Sequence, residues 1–225
     1  MEFGPTNLPF YFGTIKQSYE TKSFQHCHCI SCNPYWLVSW SLFFLWKTVW
    51  SVGGGKSDEL LASTVWNTAF YTHITMGGLS LLIGWLQFNK TFREKRIAVH
   101  RAIGKVYIVA AALSAIAGIT LGFSATAGVV SSAGFISLGI IWLITTQMAY
   151  VAIRNQQVEQ HWKLMIYSYA ACFAAVTLRI WLPVLNALIG DALLAYRIVA
   201  WLCWVPNLFF AYYLVRRQNY SLQQR

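Results

Sequence analysis

Acid is what this chain has least of. Seven Asp and Glu stand against 17 Lys and Arg, and none of the seven lies inside a long apolar stretch. That absence argues against chemistry that needs a buried carboxylate, ion coupling and general acid work among it. Charge of either sign is sparse, at 11% of residues, where an average soluble domain carries roughly 25%. A basic start followed by a short apolar core is also missing from the first thirty residues. The first span is therefore expected to act as an uncleaved signal anchor. No surface interleaves basic and aromatic residues as nucleic-acid binders do, so the net charge of +10 is read as loop topology and attraction to anionic lipid.

Two short motifs fail on inspection. GGGKS at 53–57 lacks the first glycine and the preceding strand of a phosphate loop. HCHCISC, with Cys27, Cys29 and Cys32, fits no standard zinc spacing and has no second half-site. Beside a span, those cysteines suit reversible palmitoylation or no role at all. Cys172 and Cys203 lie in apolar spans and read as packing residues.

What is abundant is apolar length. The chain is 57% hydrophobic and 16% aromatic. With about 20 apolar residues needed per crossing, six spans are predicted, near 35–53, 68–88, 104–123, 133–153, 164–186 and 195–215. The first is the weakest, because it contains Lys47. The fold class expected is an all-α integral membrane bundle of about six transmembrane helices, spanning 34–217. A mobile N-terminal segment (1–33) precedes it and a short tail (218–225) follows. The loop NKTFREKRIAVHR, the loop with Arg154, and the tail are rich in Lys and Arg, whereas the alternate loops are poor in them. Basic loops stay inside, so both termini are expected in the cytoplasm.

Three apolar stretches open with a histidine: His73, His100 and His161. At 1.5 Å per residue, His100 and His161 fall at one depth near the basic end. His73 and Arg179 fall at another, near the opposite end, with Arg197 beside them and Asn207 deeper. Two level imidazoles on two helices are what a six-coordinate b-type haem requires. They also suit interfacial anchoring, or a proton-shuttling pair. Arg179, with no acid in the spans to pair with, needs carbonyls, water or an anionic group. Pro183 and Pro206 are expected to kink the last two spans. His73, Gly77, Ser80, Gly84 and Gln87 form one seam of mostly small residues. His100, Gly104, Tyr107, Ala111, Ser114 and Gly118 form another. Such seams serve close helix approach or make room for a flat macrocycle, and spacing does not separate the two uses.

HITMGGLSLLIGWLQF from His73, FREKR, HRAIGKVY from His100, HWKLMIYSYA from His161, TLRIWLP and AWLCWVPN together resemble the membrane-protein family known as domain of unknown function 2306, over about residues 68–210. The resemblance implies a membrane fold without a settled activity. It implies that His73, Gln87, His100, Arg101, Gly104, Tyr107, His161, Met165, Arg179 and Asn207 are the family's recurrent positions. Tyr167 departs from it, since many relatives carry arginine there. A looser similarity, by analogy only, is to ascorbate-reducing b-type cytochromes.

The leading expectation is a haem-dependent membrane oxidoreductase carrying haem b. His100 and His161 would be the iron ligands, with Arg101 and Tyr107 nearby. Arg179, His73 and Asn207 would hold a quinone or small anionic ligand at the other end. The alternatives are a transporter or binding protein for an anionic lipid or small molecule centred on Arg179, and an accessory subunit packing against a membrane-protein partner or a second copy.

Overall fold

The computed structural model describes residue 56 and residues 58–223, with side chains to 217. Every element among them is α-helical: α1 (Asp58–Ala62), α2 (Thr64–Gln87), α3 (Lys90–Lys95), α4 (Ile97–Gly122), α5 (Val129–Arg154), α6 (Val158–Cys172), α7 (Ala174–Ile189), α8 (Ala192–Leu202) and α9 (Val205–Gln223).

Five stretches are long and apolar enough to cross a membrane: α2, α4, α5, α6 with α7, and α8 with α9. At 26 residues, α4 and α5 reach about 39 Å, enough for a hydrocarbon core of about 30 Å. Their outward faces are apolar, with Ile116 at 53% exposure and Phe209 at 70%. That pattern suits lipid, in which the helix satisfies its own backbone. The predicted span at 35–53 and the N-terminal segment lie outside the described residues.

The spans found differ from those predicted in two ways. α4 and α6 begin well before residues 104 and 164, so His100 and His161 stand in the first turns of helices rather than in loops. The predicted loop NKTFREKRIAVHR is itself partly helical. Asn89 caps α3 by accepting the Phe92 N–H at 2.9 Å, and the remainder is the start of α4. The last two spans are each interrupted, at Phe173 and at Cys203–Trp204. Neither break coincides with a proline: Pro183 is inside α7, and Pro206 is the second residue of α9, where a missing N–H costs little.

α2, α4, α5 and α6 form a ring of four. Each of α4–α5, α5–α6, α6–α2 and α2–α4 is a packed neighbour pair, which puts α4 and α6 on a diagonal. α7 packs on α8, α8 on α5, and α9 on α6. The loops after α2 and α5 and the end of α9 share one end of the bundle, with Arg93, Arg96, Arg154 and Arg216. This is the basic end. At the opposite end, Lys56 donates to the Ser124 carbonyl, and Arg197 Nε donates to the Ala127 carbonyl at 2.9 Å. Burial there pulls the Lys56 ammonium below the usual lysine range.

The two seams meet each other. A Cβ on Gly118 would lie 2.9 Å from the His73 ring, and one on Gly77 would lie 2.9 Å from Ser114 Oγ. One on Gly84 would meet the Tyr169 and Tyr107 rings, and one on Gly104 would lie 3.5 Å from the Gln87 amide. Each step up α2 is matched by an equal step down α4, an antiparallel register held over four turns. Small residues thus buy close approach here, and along this seam the room a macrocycle would need is filled.

Candidate functional site at the basic mouth of the bundle

The level of the histidines follows from the diagonal. Tyr107, fully buried on α4, places its hydroxyl 2.9 Å from Ser168 Oγ on α6, a separation of 61 residues in sequence. The same separation relates Gly104 to Met165 and His100 to His161. Because α4 and α6 run parallel with equal rise, three layers result. Tyr107 and Ser168 form the floor. Gly104 and Met165 lie one turn above it. His100 and His161 lie about 10 Å above the floor.

The floor is closed by hydrogen bonds. Thr146 on α5 donates to the Trp142 carbonyl at 2.7 Å and lies 2.7 Å from Ser168 Oγ. The chain Tyr107–Ser168–Thr146 therefore ties three helices through fully buried groups. Tyr169 adds a fourth contact, donating to the Leu81 carbonyl on α2 at 3.2 Å. Buried hydroxyls with partners such as these specify a packing arrangement.

The mouth is different. His161 Nδ1 lies 2.8 Å from the Ala149 carbonyl. A carbonyl only accepts, so Nδ1 carries the proton and Nε2 is left with its lone pair. His161, Arg93 and Arg101 all lie within electrostatic reach of His100. His100 Nδ1 is buried and has no hydrogen-bond partner. Neither has Nε2 of Gln87, a residue only 8% exposed, whose amide oxygen faces Gly104 on the His100 stripe of α4. Two buried polar atoms on adjoining helices near the mouth are thus left without a partner in the protein. Glu159, in the same first turn as His161, is bound to Lys163 at 2.6 Å.

At the opposite end, His73 Nδ1 lies 2.8 Å from the Ser114 carbonyl, and Ser114 Oγ donates to the His73 carbonyl at 2.8 Å. Arg179 is within electrostatic reach of His73 and donates to the Ala175 carbonyl at 2.6 Å. Asn207 and Arg197 stand apart from this pair. Asn207 Nδ2 donates to the Cys203 carbonyl at 2.9 Å and to Thr177 Oγ1 at 3.2 Å, and Thr177 donates to the Cys203 carbonyl as well. That knot ties the breaks in the last two spans. Arg197 closes the α4–α5 loop. The expected sites thus fall into four groups: His100, His161 and Arg101 at the mouth, Tyr107 in the floor below, His73 with Arg179 far from both, and Asn207 in the knot between the last two spans.

Sequence reasoning missed Ser168, Thr146 and the Ala149 carbonyl. Ser168 carried a usable signal, the same offset from His161 that Tyr107 has from His100. The other two carried none. Among the described residues, no group of three or more His, Cys, Asp or Glu converges to hold a metal ion, so any metal here would rest on the histidine pair and on ligands it brings itself.

No curated protein and no solved structure matches the chain. One family model does, over residues 70–215, which reaches into all five described spans and includes both histidine layers. The chain therefore belongs to the predicted membrane proteins of domain of unknown function 2306.

Proposed function

We propose that this multi-pass membrane protein binds a b-type haem at the basic mouth and serves electron transfer. The observation that carries the reading is the level pair, His100 and His161, on diagonal parallel helices. His161 is fixed by a carbonyl in the tautomer that leaves Nε2 to ligate, the second-shell arrangement usual for metal-bound histidine. His100 Nδ1 and the Gln87 amide are the groups a bound ligand would satisfy. Arg93 and Arg101 supply positive charge for acidic substituents on the macrocycle. The haem, when bound, supplies one-electron chemistry. The chain's own residues orient it, and the hydroxyl floor keeps it from sinking into the bundle.

In this reading the basic end faces the cytoplasm, by the rule that Lys- and Arg-rich loops stay inside. His73 and Arg179 then face the other compartment, where an anionic or quinone-like partner would meet them. A second reading rests on Arg179, a cation in a spanning helix within electrostatic reach of His73. It makes the protein a transporter or binder of an anionic lipid or small anion.

An absorption spectrum of protein expressed with sufficient haem separates the two. A Soret band that disappears in both His100→Ala and His161→Ala, with the monomer peak retained, is the expected result. A colourless monodisperse protein overturns it. Uptake of an anionic lipid that then depends on Arg179 would establish the second reading.

A further inference from the structure

His73 and Arg179 come together from helices that are not closely packed on each other. α2 packs on α4 and α6, whereas α7 follows α6 after the break at Phe173 and packs on α8. Arg179 is nevertheless within electrostatic reach of His73. Their depths agree. His73 is nine residues into α2 from Thr64, and Arg179 is ten residues from Ile189 at the end of α7. At 1.5 Å per residue these are about 14 Å and about 15 Å, well inside a hydrocarbon core of about 30 Å.

The imidazole is fixed in one tautomer and one orientation. Its Nδ1 lies 2.8 Å from the Ser114 carbonyl, and a carbonyl only accepts, so Nδ1 carries the proton. A Cβ on Gly118 would lie 2.9 Å from both Nδ1 and Cε1 of the ring. That edge is therefore held against α4, and Nε2, with its lone pair, is farther from that helix. The neutral ring offers a base and an acceptor. Arg179 offers the reverse, a guanidinium with five N–H donors and no acceptor. Its Nη1 donates to the Ala175 carbonyl at 2.6 Å. A base and a cation at one depth suit a ligand that brings an acidic proton together with an oxygen able to accept.

Lipid decides the form in which such a ligand arrives. A bare carboxylate enters hydrocarbon only at high cost, and its neutral acid at much lower cost. We infer that His73 and Arg179 bind a carboxylic acid that reaches them neutral through the lipid and ionises on binding. The O–H bond breaks, the proton passes to His73 Nε2, and the carboxylate left behind accepts from the Arg179 guanidinium. The summed charge of the three groups is unchanged, so the step needs no counter-ion at that depth. The inference rests on the reading that an acidic ligand meets Arg179, and it narrows that reading to acids with a proton to give. It is independent of what binds at the basic mouth.

The test uses the full chain in phosphatidylcholine vesicles. The probe is palmitic acid isotope-labelled at its carboxyl carbon, whose NMR shift tells acid from carboxylate. Labelled acetate is the water-borne comparison, and methyl palmitate is the ester with no proton to give. The expected result is bound palmitic acid in its ionised form, held about tenfold more tightly than the ester, as one charge-assisted hydrogen bond allows. Arg179→Gln should remove that advantage, and Arg179→Lys, which keeps the charge, should restore most of it. In His73→Gln, any acid still bound should remain protonated. Should His73→Gln fail to fold, the ionisation read in the unaltered chain still decides. Palmitic acid that binds without ionising, an ester that binds as tightly, or acetate bound where palmitic acid is not, overturns the inference. So does Arg154→Gln, at the basic end, if it weakens binding as much as Arg179→Gln. Phosphatidylglycerol, whose phosphate is already ionised, separates the inference from the reading beneath it. If it binds through Arg179 and palmitic acid does not, the inference falls and the anion site stands. If neither binds, both fall.

Discussion

Between α2 and α4 the backbones run unbroken and approach through glycine, whereas from α6 to α9 they break twice and are re-tied by side chains. In the first region His73, Ser114 and Tyr107 fill spaces that Gly118, Gly77 and Gly84 leave open. In the second, Asn207 and Thr177 bind carbonyls across the interruptions at Phe173 and Cys203. Lipid offers neither helix pair a hydrophobic drive to associate. The seam answers with dispersion contacts and the knot with hydrogen bonds. A seam tolerates no added volume. A knot tolerates volume but no lost donor.

The sharpest way to break that contrast is Gly84→Leu. Even a Cβ there would come within 2.5–2.6 Å of the Tyr169 ring and 3.0 Å of the Tyr107 ring. Both rings are committed, Tyr107 to Ser168 and Tyr169 to Leu81, so neither can swing aside without losing its bond. A loss of about 3 kcal/mol is expected, the upper part of the range for overpacking. Thermal unfolding in detergent, followed by loss of the monodisperse peak, measures it.

Next comes Asn207→Leu, which keeps volume and removes the donor. The Cys203 carbonyl and Thr177 hydroxyl each lose a partner. The expected cost is about 1–2 kcal/mol, near the top of what interhelical hydrogen bonds contribute in bilayers. The same change in the first region, a donor removed at constant volume, is Ser114→Ala. It should cost less, about 0.5–1 kcal/mol, because the His73 ring keeps its bond to the Ser114 backbone carbonyl. If Ser114→Ala proved the costlier of the two, the division between seam and knot would fail.

The two regions also differ in how far the sequence revealed them. The seam was visible, because heptad-like recurrence of small residues from His73 and from His100 reports a face directly. What spacing could not tell was whether the faces met each other or something else. The breaks in the last two spans were not visible. Phe173 and Cys203 carry no local signal for interruption, while Pro183 and Pro206 drew attention to the wrong places. A break in lipid depends on whether a distant side chain can satisfy the freed carbonyls, and Asn207 and Ala170 are 37 residues apart. The helices start earlier than their hydropathy suggests for a related reason. Arg101 and Lys105 lower the local hydropathy, yet long basic side chains near a helix end reach the interface and leave the helix intact. The level of His100 and His161 came from counting inward from the loops. That α4 and α6 form the diagonal of a ring, which makes the level pair a candidate site, required the packing.

Of the same size as Ser114→Ala is the change expected from Ser168→Ala, which opens the hydroxyl chain in the floor. Tyr107 and Thr146 would lose their common partner, at about 1 kcal/mol or less. Thr146 retains the Trp142 carbonyl. Tyr107 is left with a buried hydroxyl, so most of the loss should be recovered in Ser168→Thr, whose hydroxyl can take the same place. A cost retained in Ser168→Thr would point to volume rather than bonding in the floor.

The smallest effect tests the mouth rather than the bundle. Glu159→Gln removes the partner of half-buried Lys163 in an i,i+4 pair whose carboxylate is exposed, and such helix pairs contribute about 0.3–0.5 kcal/mol. Thermal unfolding should therefore shift very little. The change nevertheless removes a negative charge from the helix turn that carries His161 and leaves Lys163 without its carboxylate. If a ligand with acidic groups is held at the mouth by Arg93 and Arg101, its affinity should rise slightly in Glu159→Gln. The rise should shrink as salt is raised from 50 mM to 500 mM, because surface charge is screened over about 10 Å at 0.1 M. An affinity that falls, or that ignores salt, would mean that the basic end attracts nothing by charge at this mouth. Arg93 and Arg101 would then serve only to hold the helix ends at the interface.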